Sequence, residues 1–522
     1  MSDDKISRPR LVLGVWAVAF MVRAFHNQAL LADPLYYNPL GGNVPYLVMA
    51  EEIVAGTLLP SGGAFTVNSP LYPYLLAILY KAFGVGSYYA VRLCGSAVDA
   101  GTCALVALLT LRHAGIVAAW TAGMALALFG PMIFFATELA PVPYTLFLIT
   151  LAVLLLDGEG GRARLGLAGV LLGLATAMRP NVLLAGLLAL AVPWARRFPA
   201  PGRGAVAVGL GLALGILPVT VANLAAGGGF TLLTLSGGHN LYIGHNPAAR
   251  AQYSLPADLD GDIFQTMKGL AEDVEGRPFR DDEVSGYYSR RAIAWAVRNP
   301  AREAALTGRR ALLLVNDFEA TTYANYQYQI AWSPILRWAP SFAWLLALAL
   351  PGALLFLDRR RLHVWIPFLV AAASVLLFFY IARLRVVMIP TLGVFAGAAV
   401  ARTLTLVRRR DWAAVAVAAA LAVAALGVSK LPLLQGDTSN DWNKAGGVLR
   451  LLERYEEAEA ALARAGVANP DNPNTWLNLA ALYRDTGRPG DAAAADARAR
   501  DLLDGQARES AGFRAALEDT GG

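Results

Sequence analysis

The chain has 522 residues, 56% of them hydrophobic and 16% charged, with a formal net charge of +6, whereas soluble domains run nearer 45–50% apolar and about 25% charged. That balance excludes an ordinary soluble domain and describes a polytopic membrane protein. Most of the excess Lys and Arg sits in short loops between apolar runs, a topology signal that makes nucleic acid an unnecessary partner.

Eleven apolar runs read as membrane crossings, over residues 11–31, 87–111, 116–136, 140–157, 164–178, 181–195, 204–226, 337–357, 363–381, 386–406 and 411–429. Basic residues fall in alternate loops: Lys5, Arg8 and Arg10; Arg112; Arg162 and Arg164; Arg196, Arg197 and Arg203; Arg359 to Arg361; and Arg408 to Arg410. Because cytoplasmic loops are enriched in such residues, these sides and the N-terminus are expected in the cytoplasm. The loops 32–86 and 227–336 and the C-terminus are then expected outside a cytoplasmic (inner) membrane, which is the periplasm in a Gram-negative cell. The first apolar run has no small-residue cleavage site and reads as an anchor.

The expected fold is therefore an all-α polytopic membrane protein. Its parts are an N-terminal membrane body (1–226) with a first outside loop (32–86), an outside loop domain (227–336), C-terminal crossings (337–429) and a polar helical tail (430–522). The loop opens with "PLGGNVPYLVMAEEIVAG" (39–56), and "FTVNSPLYPYLLAILYKAFG" (65–84) reads as an interfacial amphipathic helix, Pro70 and Pro73 arguing against a crossing.

Ionisable residues inside a bilayer are costly and are functional candidates by default. Arg23 and His26 end the first run, Glu138 sits in the turn "ATELAPVP", Arg179 in "AMRPNV", and Arg383 and Arg385 in "FFYIARLRVVMIP". Guanidinium groups on the outer side suit an anionic ligand such as phosphate; snorkelling or ion pairing is the structural alternative. Arg92 and Asp99, two turns apart on one helix, are expected to pair. Cys94 and Cys103 lie nine residues apart, roughly 13 Å along a helix, too far for an unstrained disulfide with each other. In "LSGGHNLYIGHNPAA" (235–249), His239 and His245 could bind metal, but no paired carboxylates accompany them.

In the tail, Trp442 and Trp476, Arg454 and Arg488, Ala458 and Ala492, and Ala465 and Ala499 each recur 34 residues apart, the tetratricopeptide period. Two units are few for a continuous core, so an end helix over 505–519 or docking on the outside loop is expected. The repeats read either as a peptide or partner platform or as a spacer.

The segments "SPLYPYLLAILYKAFG", "FGPMIFFATELAP", "GLATAMRPNVLL", "LSGGHNLYIGHNP", "NDFEATTYANYQYQ" and "ARLRVVMIP" resemble, in that order, the C-type glycosyltransferase superfamily. The resemblance is to its family-39-like bacterial group, related to protein mannosyltransferases and aminoarabinose transferases, in a branch with C-terminal tetratricopeptide repeats. It covers nearly the whole chain. It implies transfer of a sugar from a polyprenyl-phosphate donor to an acceptor on the outer face, with a divalent metal as a cofactor in some members. It implies a loop carboxylate acting as base and basic residues stabilising the leaving phosphate. Carried onto this sequence, Glu138 matches the second acidic position, Arg179 the "RP" turn, and Arg383 and Arg385 the late Arg pair. Tyr242, Gly244 and Asn246 match the "FYIGNNP" loop, with His245 in place of Asn and His239 preceding it, and Glu319 and Tyr328 match a second outside segment.

One departure stands out. Relatives carry an Asp where this chain has Gly41 and Gly42, leaving Asp33, Glu51 and Glu52 as nearby carboxylates. Asp33 or Glu138 is the expected base; the alternative is a catalytically impaired relative that binds lipid phosphate and recruits a partner through its repeats. A transporter is disfavoured because the charges gather at one set of span ends rather than along a route across both leaflets.

Overall fold

The computed structural model describes residues 3–39, 42–59, 65, 69–159, 161–227, 230–254, 263–321, 325–434 and 436–519. Gly41 and residues 66–68 of the interfacial segment lie outside the described residues. Within them the elements are helices, with one isolated bridge between Gln252 and Tyr380.

The N-terminal body runs α1 (Asp3–Ala29), α2 (Val44–Val54), α3 (Tyr72–Phe83), α4 (Tyr88–Ala127), α5 (Gly130–Ala136), α6 (Val142–Leu156), α7 (Arg162–Met178), α8 (Leu183–Ala189), α9 (Val192–Ala195) and α10 (Pro201–Ala225). The loop region holds α11 (Gly237–Gly244), α12 (Ile263–Glu275), α13 (Asp281–Arg298), α14 (Pro300–Leu314), α15 (Tyr326–Ile330) and α16 (Pro334–Trp338). A second group follows, α17 (Phe342–Ala353), α18 (Leu362–Leu377), α19 (Ala382–Arg385), α20 (Ile389–Arg408) and α21 (Trp412–Ser429). The tail is α22 (Ser439–Leu451), α23 (Tyr455–Ala468), α24 (Pro473–Asp485) and α25 (Pro489–Asp519).

Among the described residues, six helical stretches are long and apolar enough to cross a membrane: Arg8–Ala32, Tyr88–Ala127, Pro201–Ala225, Arg359–Leu377, Ala382–Arg408 and Trp412–Ser429. Val142–Leu156, Pro180–Ala195 and Phe342–Phe356 are shorter apolar helices. The chain is a multi-pass, all-helical membrane protein, although fewer segments reach spanning length than the eleven expected from hydropathy. Proline accounts for part of the difference: residues 180–195 break into short pieces, with Pro180 opening the first and Pro193 in the first turn of the last, and each proline lacks an amide donor.

The expected crossings 87–111 and 116–136 meet in α4, which reverses at Gly115. Its φ of 81° is open to glycine and strained for other residues. A Cβ on Gly123 would lie 3.1 Å from the Ala107 Cβ, so the two arms run back along each other. Arg23 of α1 locks this hairpin, donating to Asp99 at 2.6 Å and to the main-chain oxygens of Leu126 and Ala127 at 3.3 and 2.9 Å. The expected Arg92–Asp99 pair is therefore corrected. Arg92 instead donates to the Tyr36 main-chain oxygen at 2.8 Å and stacks on the Tyr36 ring, because Arg23 reaches Asp99 from the neighbouring helix.

Helices α7 and α10 pack backbone to backbone. A Cβ on Gly211 would lie 2.1 Å from the Gly166 oxygen, and one on Gly173 would lie 2.4 Å from the Leu212 oxygen, the close approach that small residues permit between membrane helices.

At one end of the bundle, Asp157 gathers basic groups from three other elements. His113 and His363 nitrogens lie 3.0 and 2.9 Å from its Oδ1, Arg196 lies 3.7 Å from it, and Arg112 lies 3.2 Å from its Oδ2. Asp33, Glu138, the loop helices and the tail occupy the other end.

Helix starts in the tail recur at Ser439 and Pro473, and at Tyr455 and Pro489, giving two stacked hairpins. Their core includes Trp442, Ala458, Leu462 and Leu482, and it is continuous with Tyr328, Trp332 and Leu35 of the membrane portion. The tail thus docks on residues of the 325–332 and 33–36 loops, and its last helix runs unbroken from 489 to 519.

Candidate active site

The short helix α15 is where the candidate carboxylates converge. The side-chain oxygen of Asn325 caps it by accepting from the Gln327 amide at 2.9 Å. Tyr326 packs edge-on against Phe134 at 5.3 Å, which brings α15 against α5 and the turn after it. The Tyr328 hydroxyl donates to Asp33 Oδ1 at 2.7 Å, and the next residue, Gln329, donates from Nε2 to Glu138 Oε1 at 2.7 Å. One turn on, Ser333 Oγ lies 2.7 Å from His26 Nδ1. Two carboxylates 105 positions apart in sequence are thus held by consecutive residues of one helix.

Both carboxylates are buried. The Asp33 oxygen also accepts from the Leu35 amide at 2.9 Å. Burial pushes its carboxyl above the usual range, with the Tyr328 bond, the Leu35 amide and the nearby Arg92 charge opposing it. Burial likewise raises the Tyr328 phenol. By contrast, Glu51 and Glu52 are exposed on α2, and Gly42 is exposed in the turn preceding it.

Leu139 and Ala140, which follow Glu138, share a hydrophobic cluster with Met178, which precedes Arg179. Tyr46, Leu76 and Tyr80 of the two amphipathic helices complete that wall. From its turn, the buried Arg179 donates to the main-chain oxygen of Arg383. Arg179 and Arg383 are therefore in contact, Arg383 is half-buried, and the residues flanking Glu138 and Arg179 share one hydrophobic cluster.

Arg385 points elsewhere. It is fully buried, ion-paired to Glu319, bonded to the Asn316 main-chain oxygen and stacked 3.9 Å from the Phe342 ring centroid. Burial raises the Glu319 carboxyl, and Arg385 opposes that rise. This pair fastens the 316–320 strip to the start of the late helices, as does the 2.7 Å bond from the Ala382 amide to the Ala320 oxygen.

The 237–246 turn is likewise built into the architecture. A Cβ on Gly238 would lie 1.8 Å from the Ser285 oxygen, and one on Gly244 would lie 2.0 Å from that of Phe378, so the turn is wedged between α13 and the end of α18. His239 is buried against Phe264, and burial lowers its pKa to about 4. Tyr242 packs on Tyr288 at 5.1 Å. Asn246 bonds back to the Tyr242 oxygen at 2.8 Å and accepts from the Ala248 amide. His245 Nδ1 lies 2.9 Å from the Leu241 oxygen, and its Nε2 lies 3.3 Å from Glu303. Burial lowers the His245 pKa.

Sequence reasoning missed two residues here. Arg310, fully buried, donates to Glu303 at 2.9 Å, to the Leu376 oxygen at 3.1 Å and to the Gly244 oxygen. It was hidden within the mixed-charge pattern of α14. Gln329 carries no charge and had no sequence signal.

His239 and His245 do not converge on a common partner. Among the described residues, the group whose donor atoms lie close enough to share a cation is His113, Asp157 and His363, all within 4.8 Å. Arg112 and Arg196 already neutralise Asp157 there. Asp33 and Glu138 form no such group with a third donor among the described residues.

No family model matches the sequence, and no curated protein matches it. Solved structures with some likeness include ArnT from Cupriavidus metallidurans bound to undecaprenyl phosphate, at 14% identity and a TM-score of 0.39 over 100% of this chain and 78% of that one. The apo state of the same protein gives 14% identity and a TM-score of 0.38 over 99% and 76%. The Archaeoglobus fulgidus oligosaccharyltransferase tethered to an acceptor peptide gives 15% identity and a TM-score of 0.40 over 86% of this chain and 59% of that one.

Proposed function

We propose that the chain is an integral-membrane glycosyltransferase of the C-type superfamily, in its family-39-like group, moving a sugar from a polyprenyl-phosphate donor to an acceptor on the outer face of the cytoplasmic membrane. The observation that carries this reading is the Glu138 turn. It holds a buried carboxylate, fixed by a neutral amide, in the same cluster of elements as Arg179, whose guanidinium reaches Arg383. A base together with guanidinium groups on the same wall supplies what displacement of a phosphate leaving group requires.

In the proposed step the bond from the anomeric carbon to the phosphate oxygen breaks, and its electron pair leaves on the phosphate, where Arg179 and Arg383 stabilise the charge. The acceptor forms the new bond to the anomeric carbon, and its proton passes to Glu138. Asp33 and Arg385 enter as positioning residues, since each is committed to a partner within the fold. His239, Tyr242, His245 and Asn246 shape the loop beside the site.

The tail, read as tetratricopeptide repeats outside the membrane, would present a protein acceptor or partner to this end of the bundle. A second reading, a lipid-phosphate-binding relative with impaired catalysis, draws support from the exposed Gly42, which offers no carboxylate. The test is to supply polyprenyl-phosphate sugars and a membrane extract to the purified protein. Glu138→Gln is expected to abolish sugar transfer and Asp33→Asn to leave part of it; transfer that survives both removes these residues from the mechanism.

A further inference from the structure

Gln329 is 4% exposed, and its side chain is only half satisfied. A carboxylate accepts and does not donate, so the amide end facing Glu138 must be the NH2 group. The other end, Oε1, is sealed from solvent and meets no hydrogen-bond donor among the described residues. A buried carbonyl oxygen left in this way is destabilising, and a Leu or Met of similar size would fill the space without that cost. A second case faces the following turn from α1: His26 Nε2 is buried without a partner among the described residues, while its Nδ1 meets Ser333. The Ser333 amide in turn donates to the Gln329 main-chain oxygen at 3.0 Å.

With the Ser333 hydroxyl donating to Nδ1, His26 Nε2 bears a hydrogen and is an unused donor, whereas Gln329 Oε1 is an unused acceptor. A hydroxyl group both donates and accepts, so a polyhydroxylated ligand matches this mixture and a plain phosphate does not. Phosphate oxygens would be repelled by Gln329 Oε1 and by Glu138.

We infer that Gln329 is a sugar-binding residue, which orients Glu138 through its Nε2–H and receives a hydroxyl hydrogen of the lipid-linked sugar on its Oε1. The inference rests on the glycosyltransferase reading and assigns to this end of the site the sugar rather than the phosphate. It also explains why an amide, and not an apolar residue, stands at a buried position of α15.

The experiment uses the full chain in detergent and measures equilibrium binding of undecaprenyl phosphate alone and of undecaprenyl phosphate carrying glucose, mannose or 4-amino-4-deoxyarabinose. Wild-type protein should bind at least one sugar-bearing lipid about tenfold more tightly than the bare lipid, the size of one well-made hydrogen bond. Gln329→Met should lose that preference, binding the sugar-bearing and the bare lipid within about twofold of one another. Gln329→Leu, checked for folding by its thermal unfolding, gives the same readout if the Met variant does not fold. A preference retained in the variants overturns the role of Gln329 and leaves the proposed function standing. Equal binding of all four lipids by wild type also overturns it, and wild type that binds none of them overturns both.

Discussion

The Tyr328 hydroxyl donates to Asp33 at 2.7 Å across 295 positions of sequence, and the Tyr328 ring meets Trp442 edge-on at 4.8 Å. One side chain therefore ties the loop after α1 to α15 and α15 to the tail. Tyr328→Phe keeps the ring contact but leaves the buried Asp33 with only the Leu35 amide among its described hydrogen-bond donors. It should cost about 1–3 kcal/mol, seen as a lower thermal midpoint and faster protease cleavage near residues 430–437. Asp33→Asn, which retains an acceptor oxygen for Tyr328, should be milder. If the two variants unfold alike, the Tyr328 bond does not hold the loop.

Arg385 and Glu319 should behave as a unit. Both are buried, and removing one partner of a buried pair strands the other, typically at about 3–5 kcal/mol. Arg385→Met should therefore destabilise severely, while Arg385→Met combined with Glu319→Met should recover much of the loss. A thermal-unfolding double-mutant cycle measures the coupling; additive effects would refute it. Recovered stability with lost lipid-phosphate binding would return Arg385 to the donor site.

The membrane character and the reversal between residues 111 and 116, where Gly115 takes a positive φ, were legible because hydrophobic runs are local, but eleven apolar runs gave six helices of spanning length among the described residues. The tail helices start 34 residues apart, at Ser439 and Pro473 and at Tyr455 and Pro489, the period at which the sequence recurs. Long-range pairing was not legible. Same-face spacing favoured Arg92 with Asp99, but spacing within one helix cannot rank a partner such as Arg23 on another. Glu138 was found by its charge in an apolar setting, whereas the amide that holds it was not, because Gln carries no charge to stand out. The arginine pair before Pro390 looked equivalent in sequence, yet Arg385 turns to Glu319 while Arg383 meets Arg179.

Docking of the tail should depend on pH through Asp441. This buried carboxyl accepts from the Asn325 amide at 3.3 Å, and burial first, with Asp33 adding to it against Lys444, pushes it up to about 6. An acid whose pKa is raised on folding binds its proton more tightly in the folded chain. Its contribution is then most favourable below the unfolded value near 3.9 and is lost as pH rises through about 6. Asp441→Asn, which keeps an acceptor for Asn325, should stabilise the docked tail at pH 7.5 by up to about 3 kcal/mol. It should also flatten the slope of stability between pH 4 and 6. Thermal unfolding across that range checks both, and an unchanged slope would place the titration elsewhere.

Gly42 decides between the two functional readings. It is exposed in the turn before α2, where an Asp would be solvated and cheap to introduce, so Gly42→Asp should fold as the wild type does. If Glu138 is the base, the new carboxylate adds nothing: turnover of a polyprenyl-phosphate sugar should stay within about threefold of wild type, and Gly42→Asp should fail to rescue Glu138→Gln, since a positioned base contributes roughly 10²–10⁴. If instead catalysis was lost with the loop carboxylate, wild type should bind donor without turning it over and Gly42→Asp should create activity. Assaying the four proteins, wild type, the two single variants and the double, separates these outcomes, because only the second reading makes activity depend on residue 42.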